Sequence, residues 1–383
     1  MCFLAAGGKV TRMEKETQEE KLIRLARRLV NPERARILIE PYDRGKGYWF
    51  GGGNLAEGSG GDIFLVGRYR NPGDSTTGLA KGERGLELAI FRSSNGGQTF
   101  EKILSFSKKD LGFDDYDVLS IEGSALNFLE EGVELFISSE KANLFYPPPF
   151  EDYQKPGTGV WTIDRIAASG IMELRNQPVR PLFSSRDPQH LHVKDPVVYS
   201  PSSGGTILFF CTHPFSWSSS NSAYAVRPRG GGQFSEPGFD FFPRGATWDV
   251  AITRVSDLLF LPEWKEIWGG EDLSLAFYDG AECLRDHEQS TWGVSRPRGY
   301  SCEELGGLAI LPSEDPARIE RISKYAPLFI SPWGTGCSRY VHTLRTKDGI
   351  LATWQQSQKD GSQPLVMNFL SWQEVREAIE KKG

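Results

Sequence analysis

"FRSSNGGQTF", residues 91–100, decides how this chain is read. An apolar stretch, "LELAIF", runs into it and predicts a strand. Gly96 and Gly97 then supply a turn that accepts positive φ, and the Asn95 side chain can bond nearby backbone amides. Thr99 and Phe100 follow as anchors for a returning strand. The stretch therefore predicts a tight hairpin turn on the outside of a sheet, an architectural feature placed away from any reaction centre.

The same plan recurs along the chain. Five segments each open an apolar strand with a polar or charged residue, turn through Gly or acidic residues, and return as a second strand. They begin at "YWFGGGNL", "SIEGSALNF", "HVKDPVVY", "TWDVAITRV" and "GCSRYVHTL". Hairpins repeated without intervening helices predict radial repetition about an axis, an all-β, five-bladed β-propeller. A β-sandwich is the competing arrangement. Helical spacing of Leu22, Leu25, Ala26 and Leu29 predicts a helix over residues 11–30, with Thr17 and Glu20 as its capping box and Asn31-Pro32 as its stop. "SWQEVREAIEKKG" predicts a short C-terminal helix capped by Ser371 and Glu374. The expected organisation is an N-terminal extension over 1–36 and a single propeller over 37–383.

Composition fits this reading and narrows the partners. The chain has 383 residues, 42 glycines, 23 prolines and 12% aromatics, which suits many short strands joined by turns. A net charge of -6 argues against a nucleic-acid-binding surface. No stretch approaches the length of an apolar membrane span. The five cysteines are scattered without CxxC spacing, and the apolar run in "MCFLAAGGK" is too short for a signal peptide; both point to a cytoplasmic protein. No GxSxG or HExxH motif is present. No cofactor and no metal are expected.

"SSNGGQTF" resembles the Asp-box, S-x-D-x-G-x-T-W, of sialidase-like β-propellers, with Asn95 and Phe100 in place of aspartate and tryptophan. The preceding "GRYRNPGDS" is similar to the first blade of sialidases. That resemblance implies a substrate-binding role for Arg68, a general acid/base role for Asp74 and a nucleophilic role for Tyr340. The F-R-I-P arginine of sialidases has no counterpart in "YWFGGGNL". A second resemblance is to five-bladed arabinanase- and xylosidase-type glycoside hydrolases: "HVKDPVVY" looks like their K-D-P strand and "SIEGSAL" is similar to their E-G-P strand.

Blade repetition supplies its own argument. Equivalent positions on inner strands converge on one hub, and here these are Trp49 or Asn54, Glu122, Asp195, Asp249 and Arg339. Carboxylates are costly to bury unless paired or wet, so they are expected at the mouth of a funnel. Glycoside hydrolysis needs two carboxyl groups, one giving a proton and one activating water or attacking the sugar. Asp195 and Glu122 are the expected acid and base in either order, with Asp249 a third acid and Asp74 an alternative. Arg68, Arg339 and Tyr340 are expected to contact the oligo- or polysaccharide substrate. Trp49, Trp217, Trp248 and Trp333 are candidates for stacking on sugar faces. His192 and His213 are candidate sugar contacts or proton carriers, and no second ligand pair gives them metal spacing. The expected activity is exo-acting glycoside hydrolysis; a polysaccharide lyase and a non-catalytic carbohydrate-binding propeller stay open.

Overall fold

A computed structural model describes residues 7–71, 85–146, 148–154, 158–213, 219–262, 265, 270, 272–282, 304–312 and 314–380, with side chains from residue 18 onward. Asp74 and Trp217 lie outside the described residues.

The strands form five sheets that follow one another along the chain. Blade one holds Trp49–Gly51, Leu55–Glu57, Ile63–Arg70, Glu87–Ser93 and Glu101–Ser107. Blade two holds Val118–Phe128, Val133–Lys141, Val160–Ala168 and Arg180–Phe183. Blade three holds Leu191–Tyr199, Thr206–His213, Asn221–Arg227 and Gly238–Phe242. Blade four holds Ile252–Phe260, Leu273–Ala281, Leu305–Pro312 and Glu320–Arg321. Blade five takes Ser338–Arg345, Gly349–Gln356 and Leu365–Ser371 from the C-terminal part, and its fourth strand, Arg36–Ile39, from the N-terminal part. The last blade thus closes the ring with a strand from the start of the chain. That pairing covers an edge that would otherwise present unpaired backbone.

The opening stretch sits at this closure. Ser93 Oγ accepts from Gly97 N at 2.9 Å, and Asn95 Oδ1 accepts from Thr99 N at 3.0 Å. Gly97 has φ +84, and a Cβ there would stand 2.6 Å from Leu351 of blade five. Arg36 of the closing strand donates through Nη2 to the carbonyl of Gln98 at 2.6 Å. The turn is therefore a hairpin loop of blade one that also seats blade five.

Between neighbouring blades lie apolar layers, as stacked sheets require. Leu135, Ile137 and Ile166 of blade two pack with Val66, Leu88 and Ile90 of blade one. An α-helix, α1, spans Gly7–Leu29, and a second, α2, spans Trp372–Glu380. Leu25, Leu29, Val375 and Ile379 join one buried cluster with the layer between blades four and five. α1 begins earlier than the capping pattern predicts, so Thr17 lies inside the helix and not at its cap. At α2 the expected box is present: Ser371 N donates to Glu374 Oε2 at 3.0 Å, and Glu374 N donates to Ser371 Oγ at 3.3 Å.

Candidate functional site

The innermost strand of every blade breaks at the same level. Register shifts fall between Ile121 and Ser124, Lys194 and Val197, Val255 and Asp257, and Arg339 and His342. In blade one the inner strand is interrupted between Gly51 and Leu55. Bulges re-aim side chains that a regular strand would send into the blade faces. Here the bulged segments carry Glu122, Asp195 and Tyr340 to one hub. Asp195 and Tyr340 adopt left-handed backbone, with φ of 56° and 53°. Such conformations cost about 1–3 kcal/mol each and persist where the surroundings impose them.

At the hub, four cations face four acids. Arg254 is central: Nη1 donates to Asp195 Oδ2 at 2.9 Å, and Nη2 donates to Asp279 Oδ2 and Glu304 Oε2, both at 2.8 Å. Arg339 Nη1 donates to the same Glu304 oxygen at 2.7 Å. Arg68 Nη2 lies 3.4 Å from Glu122 Oε2. Lys194 Nζ stands 3.9 Å from Glu122 Oε2 and 3.8 Å from Asp195 Oδ2, so one ammonium bridges the two carboxylates. Arg68 comes from the second strand of its blade, over Gly51 and Gly52. A Cβ on Gly52 would stand 2.5 Å from Arg68 Nη1.

The two carboxylates differ in their setting. Asp195 Oδ1 accepts from Gly123 N at 2.9 Å, and a Cβ on Gly123 would collide with Asp195 at 2.7 Å. Burial would push the Asp195 carboxyl up, but Lys194 and Arg254 outweigh it and hold the group below its ordinary range. Glu122 accepts from Ser120 Oγ at 2.7 Å and has longer contacts to its cations. Its side chain is 10% exposed and that of Lys194 17%, against 2% for Asp195. Glu122 and Lys194 are therefore the more solvent-accessible members of the group, and Asp195 is the more deeply buried. The Tyr340 ring packs under three guanidinium carbons, 4.1 Å from Arg254, 5.4 Å from Arg339 and 5.5 Å from Arg68. Burial pushes its hydroxyl up to about 12, with Arg254 opposing. Trp49 lies at the edge of this group, 4.5 Å from the Arg339 guanidinium.

Of the residues picked from sequence, Arg68, Glu122, Asp195, Arg339, Tyr340 and Trp49 thus meet at the hub. Asn54 is buried just below, its amide exchanging hydrogen bonds with the backbone of Leu126. Asp249 does not join them. The inner strand of blade four starts only at Ile252, and Arg254 takes the hub position. Asp249 sits in the lead-in, 2.7 Å from Arg321 Nε of the outermost strand, and accepts from Tyr278 at 3.2 Å. Trp248 is also corrected: it is buried between blades, donates through Nε1 to the Ser323 carbonyl at 2.7 Å and packs on Tyr278. Trp333 is partly buried, and its carbonyl accepts a hydrogen bond from Ser357.

His192 and His213 are buried in the wall of blade three, 5.7 Å apart. His192 Nδ1 accepts from Trp161 N at 3.3 Å, and His213 Nδ1 contacts the Ser219 carbonyl at 2.7 Å. Burial lowers both, His213 to about 3, which favours their neutral forms. Among the described residues no group of three His, Cys, Asp or Glu is placed to hold a metal ion.

Lys194, Arg254, Asp279 and Glu304 escaped the sequence reading. A signal was present: each of the first three is a charge inside a strand otherwise rich in apolar residues.

Several solved structures share this fold. An α-L-arabinofuranosidase from Lactobacillus brevis superposes with a TM-score of 0.56 at 9% identity, covering 90% of this chain and 93% of that one. A GH43_1 enzyme from Xanthomonas citri, complexed with xylotriose, gives 0.50 at 9% identity over 92% and 93%. A β-1,2-mannobiose phosphorylase from Listeria innocua gives 0.52 at 11% identity over 92% and 97%. The fold is a five-bladed β-propeller. No protein-family model and no curated protein sequence matches the chain.

Proposed function

We propose that this chain is a glycoside hydrolase that works in the hub of the propeller on an oligo- or polysaccharide, removing sugar units from a chain end. The observation that carries the reading is the pair Glu122 and Asp195 under one shared ammonium, Lys194. Two carboxyl groups in unlike environments are what acid–base cleavage of a glycosidic bond needs. Asp195, held ionised by Lys194 and Arg254, serves as the base or the nucleophile. Glu122, the more exposed of the two carboxyl groups, gives the proton to the leaving oxygen. Arg68, Arg339 and Trp49 orient the sugar. The shared fold of the arabinofuranosidase and of the enzyme bound to xylotriose supports arabinosides and xylosides as the first substrates to try.

A second reading rests on Tyr340 beneath three guanidiniums. There the phenol attacks the sugar and Asp74 gives the proton, as in sialidases. With its hydroxyl pushed up to about 12, Tyr340 is protonated at neutral pH, so the carboxylate pair stands first. A panel of aryl arabinofuranosides, xylosides and sialosides decides between them. Turnover of the first two, lost in Asp195→Asn and kept in Tyr340→Phe, supports the carboxylate pair; turnover of a sialoside lost in Tyr340→Phe supports the second reading.

A further inference from the structure

Blade two carries another concave site, built without the four hub cations. A cavity of about 230 Å³ is lined by the rings of Phe113, Tyr116, Phe145, Tyr146 and Phe183, with Lys141 and Asp164 in its wall. Lys141 and Asp164 are each 1% exposed, with Nζ 2.7 Å from Asp164 Oδ2. The carboxylate also accepts from Ser139 Oγ at 3.3 Å and Thr162 Oγ1 at 3.4 Å. The ammonium is less well served. Beyond Asp164 and the face of the Phe113 ring, 4.6 Å away, Nζ meets no acceptor among the described residues. A buried ion pair is no better for stability than apolar residues of the same size. Such a pair beside spare donors and a ring of aromatics points to a ligand. Phe145, at the lip, is 62% exposed, a large apolar face left in water.

We propose that this cavity is a second binding site, for a single neutral sugar ring. Charge sets the class: an anion drawn to Nζ would also meet Asp164 Oδ2 2.7 Å behind it, and a cation would meet the reverse. A donor and an acceptor side by side match adjacent hydroxyls of a sugar. The aromatic collar matches its C–H faces. The volume is below the roughly 300–1,000 Å³ of pockets for drug-sized ligands, which limits the occupant to one ring. The site touches the hub's support: the Tyr146 hydroxyl accepts from His192 N at 2.8 Å, two residues before Lys194. The proposal goes beyond hydrolysis in the hub and does not depend on it.

The test is calorimetric titration of the full chain with L-arabinose, D-xylose, D-galactose, D-mannose and D-glucose, and with benzoate as an anionic aromatic probe. The proteins are the wild type, a hub variant (Glu122→Gln with Asp195→Asn), Phe145→Ala, and Lys141→Met with Asp164→Leu, which removes the pair as a unit. The expected result is saturable binding of at least one sugar, kept in the hub variant, weakened tenfold or more in Phe145→Ala and absent in the double variant. Phe145 is exposed, so its variant keeps the test decisive even if the double variant does not fold. Binding that Phe145→Ala leaves unchanged, saturation by benzoate alone, or no saturable binding of any sugar overturns the proposal. Turnover in the hub is a separate readout, so failure here leaves the hydrolase reading standing.

Discussion

Arg254 of blade four reaches across the hub to Asp195 of blade three, Nη1 to Oδ2 at 2.9 Å, while its other terminal nitrogen holds Asp279 and Glu304. One guanidinium thus bridges three buried acids, with Lys194 and Arg339 supplying further positive charge to Asp195 and Glu304, and this lets carboxylates stand ionised in a propeller core. Removing one partner of a buried charge group leaves the rest uncompensated, at about 3–5 kcal/mol. Arg254→Met is therefore expected to lower unfolding stability by that amount in a urea titration at pH 7. A loss below about 1 kcal/mol, the range of surface pairs, would show that the network does not compensate these acids as described.

Asp195→Asn and Glu122→Gln are each expected to cut turnover by about 10²–10⁴-fold while the circular dichroism spectrum stays that of the wild type. Leaving groups separate the two roles. If Glu122 donates the proton, Glu122→Gln retains more rate on aryl glycosides with acidic leaving groups than on alkyl glycosides. Asp195→Asn is expected to lose both alike. Equal loss on both substrates in Glu122→Gln would remove Glu122 from the donor role.

Gly123 lies where blades two and three approach. Its amide feeds Asp195 Oδ1, and any Cβ would stand 2.7 Å from that oxygen and 2.9 Å from the Asp195 Cα. Gly123→Ala is expected to displace Asp195, with overpacking that costs about 1–3 kcal/mol. Activity is expected to fall further than that stability change explains, measured as kcat at a temperature where the variant is fully folded. A variant with wild-type kcat would mean that Asp195 is not held through this contact.

The buried histidines set an acid limit on stability. His213 is lowered by burial to about 3, against about 6.5 in an unfolded chain. Between these values the unfolded state binds a proton that the folded state does not. Stability is therefore lost as pH falls from about 6.5 toward 3, with a slope of up to about 1.4 kcal/mol per pH unit for this one group. His192 and His342, also lowered by burial, add in the same direction. Asp279, raised by burial to about 6, acts oppositely as pH falls from about 6 to 4, because its folded form binds the extra proton. The His213 contribution is thus read as a difference: His213→Gln is expected to flatten the pH dependence of unfolding free energy between pH 6.5 and 4. Parallel curves for the two proteins would contradict a neutral buried His213.

The two levels of information divide cleanly. Sequence alone determined the blades. Short apolar runs bounded by turn residues, turn glycines such as Gly97 and the capping box of Ser371 with Glu374 are local, and each acts within a few residues. It also singled out Glu122, Asp195 and Arg339, because charged groups stand out in apolar strands, and Arg68 and Tyr340 through the resemblance to sialidases. Register was decided only by the tertiary structure. A bulge moves a side chain to another face without any mark in composition, so Asp249 and Arg254, five residues apart, exchanged places relative to the simple alignment of strands. The partners of the hub acids were equally out of reach. Asp279 and Glu304 come from the second strand of blade four and the approach to its third. Closure of the ring, and not proximity along the chain, brings them to Arg254 and Arg339, since Coulomb attraction depends on distance in space.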